Sequence, residues 1–233
     1  MVTTFVTALV SPTRCGRAVF EQSARDLDYK RIGKQRVEAM QILHILVGIR
    51  ICAMFYQRVF DPTHETVESY TRSIVQLFKQ RPFLLIIDND CQNYTIYDAV
   101  PDGDKFPAPL GHWIFRPGYA NHPAVRMWFG YEDALKEYTN VMIENFISRG
   151  YKNNMHRYTL PCQIDYPPWL SDPLTVGTHR AALLKKDPVF YGPIFGSLDQ
   201  IVQEYNLAHL APPTLYQEIL NPEAKTSYWW PVF

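Results

Sequence analysis

Residues 30–56 read KRIGKQRVEAMQILHILVGIRICAMFY, and the distribution of apolar positions over this stretch decides the fold class. Val37, Met40, His44 and Val47 recur at helical spacing, while Ile42, Leu43, Ile45 and Leu46 occupy the other faces. A helix with one apolar stripe lies on a surface, whereas one apolar over most of its circumference must be enclosed by other elements. The spacing therefore predicts a largely buried helix. Only its first half keeps a polar stripe. Arg31, Lys34, Glu38 and Gln41 are separated by three, four and three residues, which places these side chains on one face.

Working outward, HETVESYTRSIVQLFKQ predicts a second helix that begins near Asp61-Pro62 and ends at Pro82. The runs FLLIID and NYTIYDAV, separated by NDCQ, predict a β-hairpin, followed by a Pro/Gly-rich loop from Pro101 to Gly118. Asn121-His122-Pro123 reads as the start of a long helix running through Leu135, Tyr138, Met142 and Phe146 to Gly150. Thr178 is expected to cap a short basic helix, HRAALLKKD, that Pro188 ends; helical stretches near 197–205 and 214–220 precede the tail YWWPVF. The tail is expected to dock on the core rather than stack on a ligand. The fold class is mainly α. Residues 1–233 read as a single domain, interrupted at about 50–118 by an inserted α+β segment.

A chain of 233 residues and 27.1 kDa, with 47% hydrophobic and 20% charged residues, can bury its own core and falls outside the composition of disorder. No run approaches about 18 uninterrupted apolar residues, so no membrane partner is expected. The start, MVTTFVTALVSPTRCGR, has no basic region before its apolar run, and an intracellular location is expected. Cys15, Cys52, Cys91 and Cys162 lie far apart with no paired spacing, so reduced, mostly buried thiols and no metal site are expected. No GxGxxG, Walker A, HExxH or GxSxG element occurs. Net charge is zero, which by itself does not suggest a polyanion partner, but the charge is uneven. Residues 1–60 carry nine Lys/Arg against four Asp/Glu, and residues 61–120 five against eight.

Three polar clusters remain, each with a plain structural reading beside a functional one. In residues 27–43, Lys34 and Glu38 form an i,i+4 pair that on a surface contributes about 0.2–0.5 kcal/mol. In residues 122–135, His122 and Arg126 lie one turn apart at a helix start, where backbone amides favour an anion; His122 packing locally is the alternative. In residues 178–192, His179, Arg180, Lys185 and Lys186 concentrate positive charge, which complementarity to the helix dipole also explains.

Taken in order, LD-x-KR-x-GKQRVE-x-x-QIL (27–43), HPAVRMW-x-GYE-x-AL (122–135), HR-x-ALL-x-KDP-x-x-YGP-x-F (179–195) and the final Trp230-Pro231 resemble bacterial and viral members of the pyrimidine-dimer DNA glycosylase family, the endonuclease V type. The similarity covers about half the chain. It implies a compact helical domain, a DNA-repair glycosylase with abasic-site lyase activity on damaged pyrimidines, damaged duplex DNA as partner, and no cofactor. In that family an N-terminal α-amine exposed by methionine removal attacks C1′ of the damaged nucleotide, which here implies the amine of Val2. The essential carboxylate falls at Glu38. Arg31, Lys34, Arg36, His122, Arg126, His179, Arg180 and Lys185 become the candidate DNA contacts. Two other readings stand beside this one: a nucleic-acid-binding or virion-associated protein that keeps the fold without catalysis, and a glycosylase for another modified base. The oligomeric state is left open.

Overall fold

A computed structural model describes residues 16–97, 112–224 and 228–231. Val2, Cys15, the loop segment 101–111 and Phe233 lie outside them. The fold is mainly helical with one small sheet.

The first helix, α1 (Arg17–Asp26), has no counterpart in the sequence reading. It is short, and no side chain caps its start. It is held by Val19, Phe20 and Ala24, all buried, with Phe20 edge-on to Tyr138 at 5.2 Å.

The second helix, α2 (Tyr29–Phe55), is the one predicted. It begins at Asp28, whose carboxylate accepts hydrogen bonds from the backbone N–H of Lys30 (2.9 Å) and Arg31 (3.1 Å). At 1.5 Å per residue its 27 residues extend for about 40 Å. By length and composition it could cross a membrane, with a mean hydropathy of 1.6 over one window, yet 56% of that window is buried against protein. Burial falls on every side, from Ile32 and Ala39 through Leu43, Leu46 and Ile49 to Cys52. A stripe cannot do this, so the surrounding elements are arranged to enclose it.

Helix α3 (Val67–Gln80) starts later than expected. The Asp61 carboxylate closes its own turn by accepting from the backbone N–H of Thr63 (2.9 Å), and the helix waits for a capping box between Thr66 and Ser69. The hairpin forms as read, from strands β1 (Leu84–Asp88) and β2 (Tyr94–Tyr97), with Leu84 opposite Tyr97. A third strand, β3 (His112–Ile114), pairs antiparallel on the other side of β1, giving the order β2-β1-β3. It lies in the segment read as loop. The sheet and its flanks seal the C-terminal half of α2. Phe83 packs on Phe55 at 4.5 Å, Trp113 stacks on His44 at 4.6 Å, and buried Phe115 lies across the backbone of Gly48.

The helix expected to run from Asn121 to Gly150 is two helices. Helix α4 (Pro123–Arg126) is capped by His122, whose Nδ1 accepts from the Ala124 N–H, and α5 (Glu132–Ser148) follows after Gly130 at φ +84°. That left-handed conformation ends the helical path at a residue without Cβ. Asn121 does not cap; its Oδ1 accepts from Thr71 Oγ1 at 2.9 Å, tying α4 to α3. Helix α5 then packs along α2 and α1 with Ala134, Leu135, Tyr138, Val141 and Met142 buried.

Helix α6 (Pro173–Lys186) corrects the expected start at Thr178. Asp172 caps it through the N–H groups of Leu174 and Thr175, and Pro173 takes the first helical position, where its missing N–H costs nothing. Thr178 is buried in mid-helix and donates back to the Leu174 carbonyl at 2.9 Å. Pro188 does end α6, but it also opens α7 (Pro188–Phe195). Helices α8 (Leu198–Glu204), α9 (Leu207–Leu210) and α10 (Pro213–Leu220) complete the layer. The tail docks on this layer as expected: the Trp229 N–H donates to Thr178 Oγ1 at 3.0 Å, and Trp229 and Trp230 pack against the core. Of the three described cysteines, Cys52 is buried, Cys91 half-buried and Cys162 exposed, and burial pushes the Cys52 and Cys91 thiols up to about 12.

A Cβ built on Gly48 would stand 2.0 Å from the Phe115 ring. Gly48→Ala is expected to destabilise the protein by about 1–3 kcal/mol through overpacking. Combining it with Phe115→Leu, which vacates the space, is expected to recover part of that loss in urea titration.

Candidate functional site

The N-terminal half of α2 carries the polar stripe as predicted. Lys34 and Gln41 are exposed, and Arg31 and Glu38 are half-buried. Beneath the stripe, buried Gln35 accepts a 2.6 Å hydrogen bond from Tyr138 of α5. Burial first, and then the negative charge of Glu38, push the Tyr138 hydroxyl well above its ordinary range. The hydroxyl therefore stays protonated and acts as a fixed donor. Glu38 thus sits half-buried at the edge of the α2/α5 seam, close to the buried Tyr138–Gln35 pair.

The predicted basic contacts are mostly held by other parts of the fold. Arg31 is ion-paired with Asp28 and lies over the Tyr191 ring at 5.2 Å. Arg36 lies over Phe146 at 4.1 Å and donates to Asn153 at 2.5 Å. Arg126 is ion-paired with Glu68, and Arg180 lies between the rings of Phe195 and Tyr205, 3.6 Å from Glu204. Lys185 donates to the carbonyls of Glu218 (2.6 Å) and Asn221 (2.8 Å), capping the end of α10. His122 caps α4 and meets Trp230 edge-on at 5.9 Å. His179 is fully buried, stacked on Tyr228 at 5.0 Å with Trp230 edge-on at 5.6 Å, so its ring presents nothing to a phosphate in this conformation. Lys34 projects into solvent beside Glu38. The proposed nucleophile, Val2, lies outside the described residues.

The structure also assembles a cleft of about 490 Å3 where the α1–α2 junction, the end of α5 and the start of α7 meet, lined by residues 28–31, Arg149, Tyr151, Asp187 and Phe190. Its wall is a junction of caps. Arg149 donates to the carbonyls of Leu27 (2.8 Å) and Ala24 (2.7 Å), closing the end of α1. Tyr191 donates to Asp28 at 2.8 Å. Burial opposes the Asp28 charge, but the hydrogen bonds from Arg31 and Tyr191 outweigh it and hold the carboxyl below its usual value. Sequence reading found only Arg31 here, because the cleft unites three segments more than a hundred and fifty residues apart in total and no spacing links them. Among the described residues, no group of three His, Cys, Asp or Glu side chains is placed to hold a metal ion.

Burial, reinforced by nearby Lys186, lowers the His179 pKa to about 3 from an ordinary 6.5. Between those values the unfolded chain binds a proton that the folded protein refuses, so stability falls as pH falls, by up to about 1.36 kcal/mol per pH unit. Urea unfolding between pH 7 and pH 4 is expected to show this slope, and His179→Phe, which keeps a ring against Tyr228, is expected to make it shallower by about one proton. An unchanged slope would assign the acid sensitivity elsewhere.

A family model described as pyrimidine dimer DNA glycosylase matches residues 9–159. That range includes α2 with Glu38, the sheet, α4 and α5; Val2 and the 179–195 motif lie beyond it. Searches of curated proteins and of solved structures gave no match. With well over half its length matched, the chain belongs to the pyrimidine dimer DNA glycosylase family.

Proposed function

We propose that this protein is a DNA-repair glycosylase with abasic-site lyase activity on duplexes carrying damaged pyrimidines, working through the α-amine of Val2 and the carboxylate of Glu38. The observation that carries the reading is the setting of Glu38. It is half-buried on the polar stripe of a helix inside the matched range, one turn from exposed Lys34 and backed by the buried Tyr138–Gln35 pair.

The chemistry follows from the two groups. An α-amine titrates near 7.7–8.0, so a substantial fraction is neutral and nucleophilic at physiological pH. Its nitrogen attacks C1′ as the glycosidic C1′–N bond breaks and the base leaves with that electron pair. Positive charge builds at C1′ and the ring oxygen while that bond is breaking, where a nearby carboxylate stabilises it, and the nitrogen gives up a proton once it is bonded. The C1′–O4′ bond opens as O4′ gains a proton, leaving an imine between the amine and C1′. Removal of a C2′ proton expels the 3′ phosphate by β-elimination, and water hydrolyses the imine to free the amine. Glu38 is the proposed carrier of these protons. No cofactor is needed for this sequence. Extrusion is cheaper for a base whose stacking is already disturbed, which favours damaged over intact sites. Among the predicted basic contacts, Lys34 is the proposed phosphate contact nearest the reaction, because it is exposed and one turn from Glu38.

Borohydride trapping on duplexes holding a cyclobutane pyrimidine dimer or an abasic site tests the mechanism directly. A covalent adduct at the Val2 amine is expected by N-terminal mass spectrometry, and Glu38→Gln is expected to lower nicking at least about 100-fold while leaving the melting temperature nearly unchanged. A retained Met1 with no adduct on either substrate would overturn the reading in favour of a DNA-binding protein without catalysis.

A further inference from the structure

Strand β2 does less for the core than the strand it pairs with. Leu84, Leu85, Ile86 and Ile87 of β1 are all buried, whereas β2 lends Ile96 to the core and leaves Tyr94 48% and Tyr97 50% exposed, with Thr95 exposed as well. The order β2-β1-β3 makes β2 an edge, and among the described residues no strand pairs with its outer side. Edge strands are ordinarily guarded by a charged side chain, a proline or a bulge, because an open row of N–H and C=O groups is a template for another strand. Residues 92–97, QNYTIY, contain no charge and no proline, and the β1–β2 register runs without a bulge.

The ladder fixes which backbone groups face outward. In an antiparallel pair every second residue exchanges hydrogen bonds with its neighbour, and the residues between direct theirs away. The Asp88 N–H donates to the Asn93 carbonyl at 3.0 Å, so the bonded positions of β2 continue at Thr95 and Tyr97. Tyr94 and Ile96 therefore direct their N–H and C=O groups to the open side. The Asp88 carboxylate accepts from the Gln92 N–H (2.8 Å) and from the Asn93 side-chain amide (2.9 Å), so that acid is engaged within the turn before β2.

We propose that β2 is a self-association edge, where two copies of this chain pair antiparallel about a two-fold axis at Thr95. Directly opposed residues of an antiparallel pair point to the same face, and side chains alternate between faces, so a symmetric pairing must centre on a residue rather than between two. Centred on Thr95, Tyr94 of each copy meets Ile96 of the other, and these are the residues whose N–H and C=O groups are turned outward. Centring on Ile96 instead sends Tyr94 past the end of the strand. The Thr95 side chains face each other at the axis, a favourable cross-strand pair, and each Tyr94 ring lies against Ile96 of the other copy. A second copy fits this edge better than a charged partner does, because residues 92–97 carry no charge to select such a partner and none to repel their own image. The sheet seals the C-terminal half of α2 and Glu38 stands in the N-terminal half, so the pairing leaves Glu38 uncovered and depends on neither the DNA reading nor the excision chemistry. A contact this small is weaker than the interface of an obligate dimer, and association is expected at micromolar concentrations.

Sedimentation velocity with the full chain, from about 1 to about 200 µM, tests this. The average mass is expected to rise with concentration from 27.1 kDa toward twice that value. Thr95→Lys and Thr95→Glu each set like charges face to face at the axis, and each is expected to weaken association at least about fivefold. An equal mixture of the two variants sets opposite charges there and is expected to restore it. Because Thr95 is exposed, both variants are expected to keep the parent melting temperature, which separates lost pairing from lost folding. A mass of 27.1 kDa at every concentration would overturn the proposal. So would a dimer that survives both substitutions, or a mixture that stays monomeric.

Discussion

Everything in this fold answers to the burial of one helix. With apolar residues around most of its circumference, α2 cannot rest on a surface; it needs a partner on each side. Helix α5 runs along one side, α1 closes the angle between them, and the small sheet covers the C-terminal half through Phe83, Trp113 and Phe115. What remains uncovered is the polar stripe of the first half. The same constraint that buries Leu43 and Ile49 leaves Lys34 exposed and Glu38 half-buried, and the candidate site is the gap in the enclosure.

The seam between α2 and α5 gives that gap its rigidity. Tyr138 is fully buried and its hydroxyl donates to Gln35, three residues before Glu38. An unpaired hydroxyl or amide at that depth would cost about 1–3 kcal/mol, so the pair fixes the register of the two helices beneath the carboxylate. At the other end of the seam, Arg149 of the chain following α5 closes α1, and Asp28 gathers a cap, an ion pair and the Tyr191 hydroxyl. Polar groups hold the two ends while apolar packing fills the middle.

The fold class, α2, the hairpin and the docked tail were legible because each rests on local pattern. The errors came where one residue type has two uses. Pro188 reads as a terminator and is also a good first residue, so α7 was missed; Thr178 reads as a cap but in mid-helix bonds back to the preceding turn, while Asp172-Pro173 was the true start. The break at Gly130 depends on a left-handed backbone that the WFGY sequence permits without demanding. At the site, the resemblance and the charge of its motifs pointed to Arg31, Arg36, Arg126 and Lys185, and the structure gives each of them a partner within the fold. For Arg126 and Arg36 the occupation was hidden because the partners are distant: Glu68 is 58 residues from Arg126, and Asn153 is 117 from Arg36. Charge can be counted in a sequence, but its neutralisation cannot.

The order in which the chain is made bears on the same helix. Its longest and most apolar helix is finished at Phe55, yet α5, its main cover, begins only at Glu132, and the hydrogen bonds that lock α1 and α2 reach across 103, 125 and 163 residues. At about 5–20 residues per second, α2 is exposed for on the order of 4–15 s before its cover is synthesised. A nascent helix of that hydropathy is a ligand for chaperones and a competitor for membrane-insertion machinery during that interval. Despite its helical composition, the protein has the non-local wiring of a slow folder. Its yield in a cell depends on how the unfinished chain is sheltered as well as on the stability of the finished one.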